Sequence, residues 1–379
     1  MQPYLRAPIF AYRLLAHDRS RSLASIGGVA FALVLMMMQV GFRNSLLDSG
    51  LQLMERLDAD VIVISKEKFP FLRMRSMPRE RLYQALATEG AESVAPLWTG
   101  LARWTNPYTR TMHPIRILGF DPRKPTFEIE SVNRMAEGLD KPGAALLDRL
   151  SRDSYGSVGT GPAVVNRKEV EVIGTFPLGT DFQVEGTLLV SETTFFELQG
   201  WGHEMVEAAL VQTEPGADPR EIAAAMQATL PDDVVALTKS ELIARDRSYW
   251  ESSTPVSLIL LVGVTLGFLA GVVISYQILY TEVLDHMAEF ATLKAMGYGD
   301  RFIQLVVVTE ALFLSVVCFL PALVVGSGIV VLLGVISGLP AVLSWGDSFG
   351  ILTLSVSMCT VASFFALRRV RVLAPAELF

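Results

Sequence analysis

Four long apolar runs, unevenly spaced, limit what this chain can fold into more than any other feature. They lie at Leu23–Phe42, Pro255–Tyr280, Ile303–Gly334 and Phe349–Leu367, with about 210 mostly polar residues between the first and second. Each is long enough to cross a hydrocarbon core as a helix, which takes ~17–25 apolar residues. The spacing predicts a four-span helical membrane protein with a large insert on one side. Hydrophobic residues make up 51% of the chain, and the excess sits in these runs. The first run begins after some twenty residues and ends in Val40-Gly41-Phe42-Arg43 without a small-x-small cleavage site, so a retained helix is expected rather than a signal peptide.

Basic residues near the spans set the expected orientation. Arg6, Arg13, Arg19 and Arg21 precede the first run, Arg368, Arg369 and Arg371 follow the fourth, and Ser337–Ser348 has no Lys or Arg. Both termini are therefore expected in the cytoplasm of a multi-pass inner-membrane protein, with the insert and the Ser337–Ser348 loop outside. A fifth span, made by splitting the third run at Pro321, would place the terminal arginines outside and leave no polar turn. One tilted or kinked helix is preferred, since a membrane helix tolerates proline where neighbours satisfy the freed carbonyl.

The expected division is a surface amphipathic helix over 1–22 (Leu5, Ile9, Tyr12 and Leu15 on one face), spans at 23–42, 255–280, 302–335 and 349–368, a short outer loop at 336–348 and a tail at 369–379. The insert, 43–254, carries 23 basic and 31 acidic residues, a net charge of −8, which excludes a simple basic platform for nucleic acid. It is large enough for its own core and for two subdomains. At its ends, Leu46, Leu47, Gly50, Leu53, Met54 and Leu57, and then Leu242, Ile243, Asp246, Tyr249 and Trp250, keep a helical period. These predict stalk helices at about 43–57 and 239–254, packed on each other or on a second copy and holding the domain off the membrane.

Between the stalks, strands are expected at Asp60–Ser65, Ile115–Phe120, Val170–Phe176, Gly186–Val190, Glu207–Gln212 and Val234–Leu237, with helices at Arg79–Thr88 and Pro219–Leu230. This is an α+β pattern, too broken for a Rossmann sheet.

Catalytic motifs are missing. His17, His113, His203 and His286 are scattered, and His203-Glu204 lacks the second histidine of a zinc helix. Gly156, Gly159 and Gly161 lack the Lys-Ser/Thr of a phosphate loop and suit a surface turn; no Gly-x-Ser-x-Gly elbow occurs. Cys318 and Cys359 fall in spans and read as small packing residues rather than a disulfide or metal site. Trp98, Trp104 and Trp201 either line a cargo groove or fill a core, with buried packing favoured. The sequence thus predicts no enzyme, no resident cofactor and no metal.

The connection Thr281–Arg301 is the informative segment. Val283, Leu284, Met287, Phe290, Ala291 and Leu293 recur at helical spacing, leaving Glu282, Asp285, Glu289 and Lys294 to solvent or a partner, and Gly297 offers a helix stop. A short helix along the inner surface could pass force from a soluble partner to two spans at once. In the third span Glu310 is an intramembrane carboxylate and so a functional candidate. Near the inner interface it is expected to meet Lys294, Arg301 or a terminal arginine in a structural role.

Glu289-Phe-Ala-Thr-Leu-Lys-Ala-Met-Gly-Tyr298 resembles the segment after the second span of FtsX/MacB-like (mechanotransmission, type VII) ABC permeases. Val172–Phe182, Gly186–Ser191 and the terminal Ala374-Pro-Ala-Glu-Leu-Phe379 are similar to the DevC subgroup, with Ala374 standing where that subgroup has an acid. The resemblance covers nearly the whole chain. It implies a permease paired with a second copy of itself and with a separate DevA-like ATPase that binds ATP and Mg. It further implies a DevB-like periplasmic membrane-fusion adaptor, a TolC-like outer-membrane channel and an amphiphilic, glycolipid-like cargo. In that family the segment would be the coupling helix, here Glu282, Asp285, His286, Glu289, Lys294 and Gly297. Two rivals use the same engine: an FtsX-like relay to a cell-wall hydrolase, and a lipoprotein-release permease. A membrane-bound enzyme is more distant.

Overall fold

The computed structural model describes residues 19–156, 159–253 and 255–372. The expected surface helix before residue 19, the centre of the Gly156–Gly161 turn and the Ala374–Phe379 motif lie wholly or partly outside the described residues. The chain forms two units, one built from the spans, the other from 45–254 together with 337–340.

Among the described residues four helices are long and apolar enough to cross a bilayer: α1 (Arg19–Glu55), α7 (Pro255–Asp285), α9 (Asp300–Ser337) and α10 (Trp345–Val372). Pro321 sits inside α9, which continues through it as one helix. The core of this unit joins Leu33, Met36 and Met37 of α1 to Leu279, Leu314, Cys318, Met358 and Cys359. Small residues allow the helices to approach closely, the usual basis of span association. At Gly271 an added Cβ would lie 2.0 Å from the Met358 sulfur. Cys318 and Cys359 are free and buried, with Cys359 Sγ 3.7 Å from Ser275 Oγ.

The inserted unit is a nine-stranded sheet with helices, in the order β11-β1-β10-β3-β4-β8-β5-β7-β6. Its strands are β1 (Val61–Ser65), β3 (Ala91–Thr105), β4 (Met112–Phe120), β5 (Ala144–Asp148), β6 (Gly161–Val165), β7 (Lys168–Phe176), β8 (Thr187–Ser191), β10 (Ala208–Thr213) and β11 (Val234–Thr238). A separate two-stranded pair joins β2 (Met77–Pro78) to β9 (Met205–Val206). β6 also pairs with the end of β3 through Trp104↔Val165 and Thr105↔Val164. That closes β3-β4-β8-β5-β7-β6 into a ring. The 15-residue β3 belongs to both parts, its first half paired with β10 and its second with β4.

β1 shows why the sheet is covered on both sides. Side chains alternate across a strand. Val61 and Val63 join a core containing Leu82 of α2 (Glu80–Leu86) and Ile222 and Met226 of α5 (Pro219–Thr229). Ile62 and Ile64 face Leu51, Met54 and Leu57 of α1 and Leu242 of α6 (Lys239–Ser252). Full burial of such a side chain contributes about 1.5–3 kcal/mol over exposure. The stalk segments are therefore one wall of this domain's core as well as partners to each other. Asp48 and Arg247 pair across them at 2.6 Å, and Trp250 meets Phe182 edge-on at 4.7 Å. α6 starts with a capping box, the Thr238 hydroxyl accepting from Glu241 N–H and the Glu241 carboxylate from Thr238 N–H.

Candidate functional site

α7 runs to Asp285, past the expected end of the span at Tyr280, so Glu282 and Asp285 ride on its last turn. His286 is the joint: its N–H donates to Glu282 O at 3.1 Å and its carbonyl accepts from Phe290 N–H at 3.0 Å. The free-standing helix of the connection is thus shorter than 282–297; it is α8 (Met287–Ala295). The last apolar turn of the span carries helical geometry into the connection, which is why the boundary moved.

α8 is held at both ends and on one face. His286 Nδ1 lies 3.2 Å from Glu289 Oε1. At the other end Gly297 adopts φ +92°. Gly297 N–H donates to Lys294 O at 3.0 Å and Tyr298 N–H to Leu293 O at 3.1 Å, the paired bonds of a Schellman stop. Phe290 is buried with Val283, Phe302, Val306, Val307 and Leu367, against which Leu293 and Tyr298 pack. One side of α8 is therefore joined to α7, α9 and α10. The other side presents Ala288, Glu289, Ala291, Thr292, Lys294 and Ala295, followed by Met296 at 63% exposure. A face of alanines edged by charge is flat enough to enter a groove on a partner.

Glu310 is only 1% exposed, and among the described residues none of the expected basic side chains is its partner. Its neighbouring group is the half-buried Glu282 carboxyl, and Oε1 has no hydrogen-bond partner. Helix geometry explains the miss. Arg301 lies nine residues earlier on α9, about half a turn out of phase and roughly 13 Å away along the axis. Lys294, Arg301 and Arg368 are all exposed, and Arg368 covers the Phe364 ring at 5.6 Å.

Sequence reasoning missed the charges buried inside the inserted domain. Lys68 is ion-paired with Glu207, whose carboxylate also accepts from Arg75 N–H at 3.1 Å. Burial pushes the Lys68 amine below its ordinary range, opposed by Glu207. Arg116 pairs with Asp181 at 2.5 Å. Asp246 on α6 accepts Phe71 N–H at 2.9 Å and is pushed up to about 6, chiefly by burial. Asp148 accepts from the N–H groups of Leu150, Leu178 and Gly179 and is raised, burial outweighing those bonds. No local pattern marks these residues, because apart from the Leu150 N–H beside Asp148 the partners named here come from other segments of the chain.

Trp98 and Trp104 fill the core, their indole N–H groups donating to Met205 O and Tyr155 O at 2.8 and 3.0 Å. Trp201 is 39% exposed and borders, with Trp98, Glu204, Met205 and Glu207, a cavity of about 220 Å³. Among the described residues no cluster of His, Cys, Asp and Glu could hold a metal ion.

Two family profiles match the chain. The MacB-like periplasmic core domain covers residues 22–229, and the FtsX-like permease C-terminal covers residues 261–375. No curated protein matches. Among solved structures, the periplasmic region of MacB from Actinobacillus actinomycetemcomitans is similar at 10% identity and TM-score 0.36, covering 52% of this chain and 94% of that one. The extracellular domain of the noncanonic ABC-type transporter YknZ from Gram-positive bacteria is similar at 12% identity and TM-score 0.33, covering 47% and 98%.

Proposed function

Because the chain belongs to the FtsX/MacB-like family of ABC-transporter permeases, inner-membrane proteins with a periplasmic domain, we propose that it is a DevC-like permease of a tripartite exporter. Two copies act with a separate ATPase that binds ATP and Mg, a periplasmic adaptor and an outer-membrane channel. The cargo is an amphiphile of glycolipid, lipid or small-molecule type.

The observation that carries this reading is α8. A nine-residue helix would slide freely if only its ends were tied. Its Phe290 face is instead packed on residues of α9 and α10, so a push on the Ala288–Ala295 face is delivered to several spans together. In the proposed cycle the ATPase pair closes beneath the membrane, carries α8 with it and shifts the spans; the helices leading into the periplasmic domain move in turn. No step requires bond chemistry from this chain. Its residues receive displacement and hand it on.

The test is docking. Glu289 sits on the exposed face, and opposed like charges at an intimate interface cost several kcal/mol. Glu289→Lys should abolish co-purification of the ATPase while leaving the amount of membrane-inserted permease unchanged. Recovery of the ATPase at wild-type yield would remove α8 as the docking element. Co-purification of a cell-wall hydrolase in place of an adaptor would convert the exporter into a relay.

A further inference from the structure

Glu310 is the one buried acid of the membrane unit among the described residues. It sits on α9, lined by the buried Val306, Val307, Ala311 and Leu314 of the same helix. Its carboxyl reaches that of Glu282 on α7, and its other oxygen is unpartnered. Two carboxyl groups in contact within an apolar setting cannot both be charged at acceptable cost, because like charge and lost hydration act together. A proton between them removes the repulsion and supplies the missing donor, since a neutral acid donates one hydrogen bond and still accepts.

Among the described residues, the other titratable groups on the helices packed here are engaged or exposed. Tyr276 and Tyr280 of α7 stack on each other at 5.8 Å. His286 is turned to Glu289, and Tyr298 lies 4.7 Å from the Phe302 ring. Asp285 of α7, Lys294 of α8, Arg301 of α9 and Arg368 of α10 are exposed.

We propose that Glu282 and Glu310 form a proton-binding site, holding one proton in a hydrogen bond that joins the second and third spans at the root of α8. Loss of that proton sets two negative charges against each other and drives α7 and α9 apart where they meet the short helix. Proton occupancy therefore sets how firmly the two spans move together. The site itself stands on the burial of Glu310, its unpartnered oxygen and its contact with the half-buried Glu282; only its influence on the ATPase rests on the coupling role proposed above.

Infrared spectroscopy of the full chain in lipid nanodiscs tests the site. At neutral pH the wild type should show a protonated-carboxyl C=O band that shifts in D2O and disappears as pH is raised. Glu310→Gln should abolish the band, and Glu282→Gln should keep it at a shifted frequency. Absence of the band from wild type at neutral pH, or its persistence unchanged in Glu310→Gln, overturns the proposal. Spin labels at Leu284→Cys and Leu305→Cys, both exposed positions, read the helix separation. The separation should widen above the titration midpoint in wild type and stay constant with Glu310→Gln; a constant wild-type distance overturns the joining role. Neither readout involves the ATPase, so failure of docking at α8 and failure of the proton site are told apart.

Discussion

Six charged side chains are buried in the periplasmic domain, and every one has a partner of opposite charge or a backbone donor: Lys68, Arg116, Asp148, Asp181, Glu207 and Asp246. In the membrane unit the buried acid, Glu310, meets another acid. The domain gains rigidity from its satisfied groups, since a buried charge with good partners has one favourable geometry. The spans keep a group whose favourable geometry depends on a proton. On the proposed function, stiffness lies where displacement would be transmitted, and sensitivity where it would be set.

The comparison breaks first at Lys68. Lys68→Met strands the Glu207 carboxylate in a dry interior and should destabilise the domain by about 3–5 kcal/mol, read as loss of the folded signal in thermal unfolding of the full chain. Adding Glu207→Met should restore most of that loss. If the single change is harmless, the charges of this domain are not what makes it rigid.

Asp246 offers a second, pH-dependent test. Its carboxyl is raised from an ordinary value of 3.8 to about 6, chiefly by burial. An acid raised on folding stabilises the fold most when protonated. This contribution is complete below about pH 3.8 and falls away as pH rises to about 6. It amounts to on the order of 1–3 kcal/mol. Asp246→Asn should flatten the stability profile across that window, and a slope unchanged by the substitution would assign it to other groups.

Gly297 sharpens the contrast at the membrane side. Its φ of +92° strains any residue with a Cβ, so Gly297→Val should cost about 1–2 kcal/mol locally. Hydrogen exchange at the Tyr298 amide should speed by about tenfold, with the periplasmic domain unaffected. The smallest effect is expected at the head of α6. Thr238→Ala removes one half of the capping box and should cost about 1 kcal/mol, seen as a melting shift of roughly 2–4 °C.

The spans were legible because membrane crossing needs only length and apolarity, and Pro321 did not obscure the third. Strands with a local alternating or β-branched run, such as Val61–Ser65 and Lys168–Phe176, were legible for the same reason. Gly161–Val165 was not, since its glycine and proline signal a turn and its place in the sheet depends on pairing with β3 and β7. Ala91–Thr105 was also missed. Its burial pattern changes midway, from nearly continuous to alternating, as its neighbours change. The stop of α8 followed from Gly297, and the inward positions Val283, Phe290 and Leu293 followed from spacing, but Leu284 and Ala291, expected on the same apolar face, are exposed. The partner of Glu310 could not follow, because which side chains meet between two spans depends on helix phase and crossing rather than on closeness in sequence.

A strand that serves two parts of one sheet is a shared beam. β3 enters as a member of the antiparallel group with β10 and leaves as a stave of the closed ring, fifteen residues without a break. A hinge between the two halves of the periplasmic domain would have to tear its ladder, so tipping one end must tip the other. In the proposed cycle, a thrust reaching that domain would turn it as a single rigid piece.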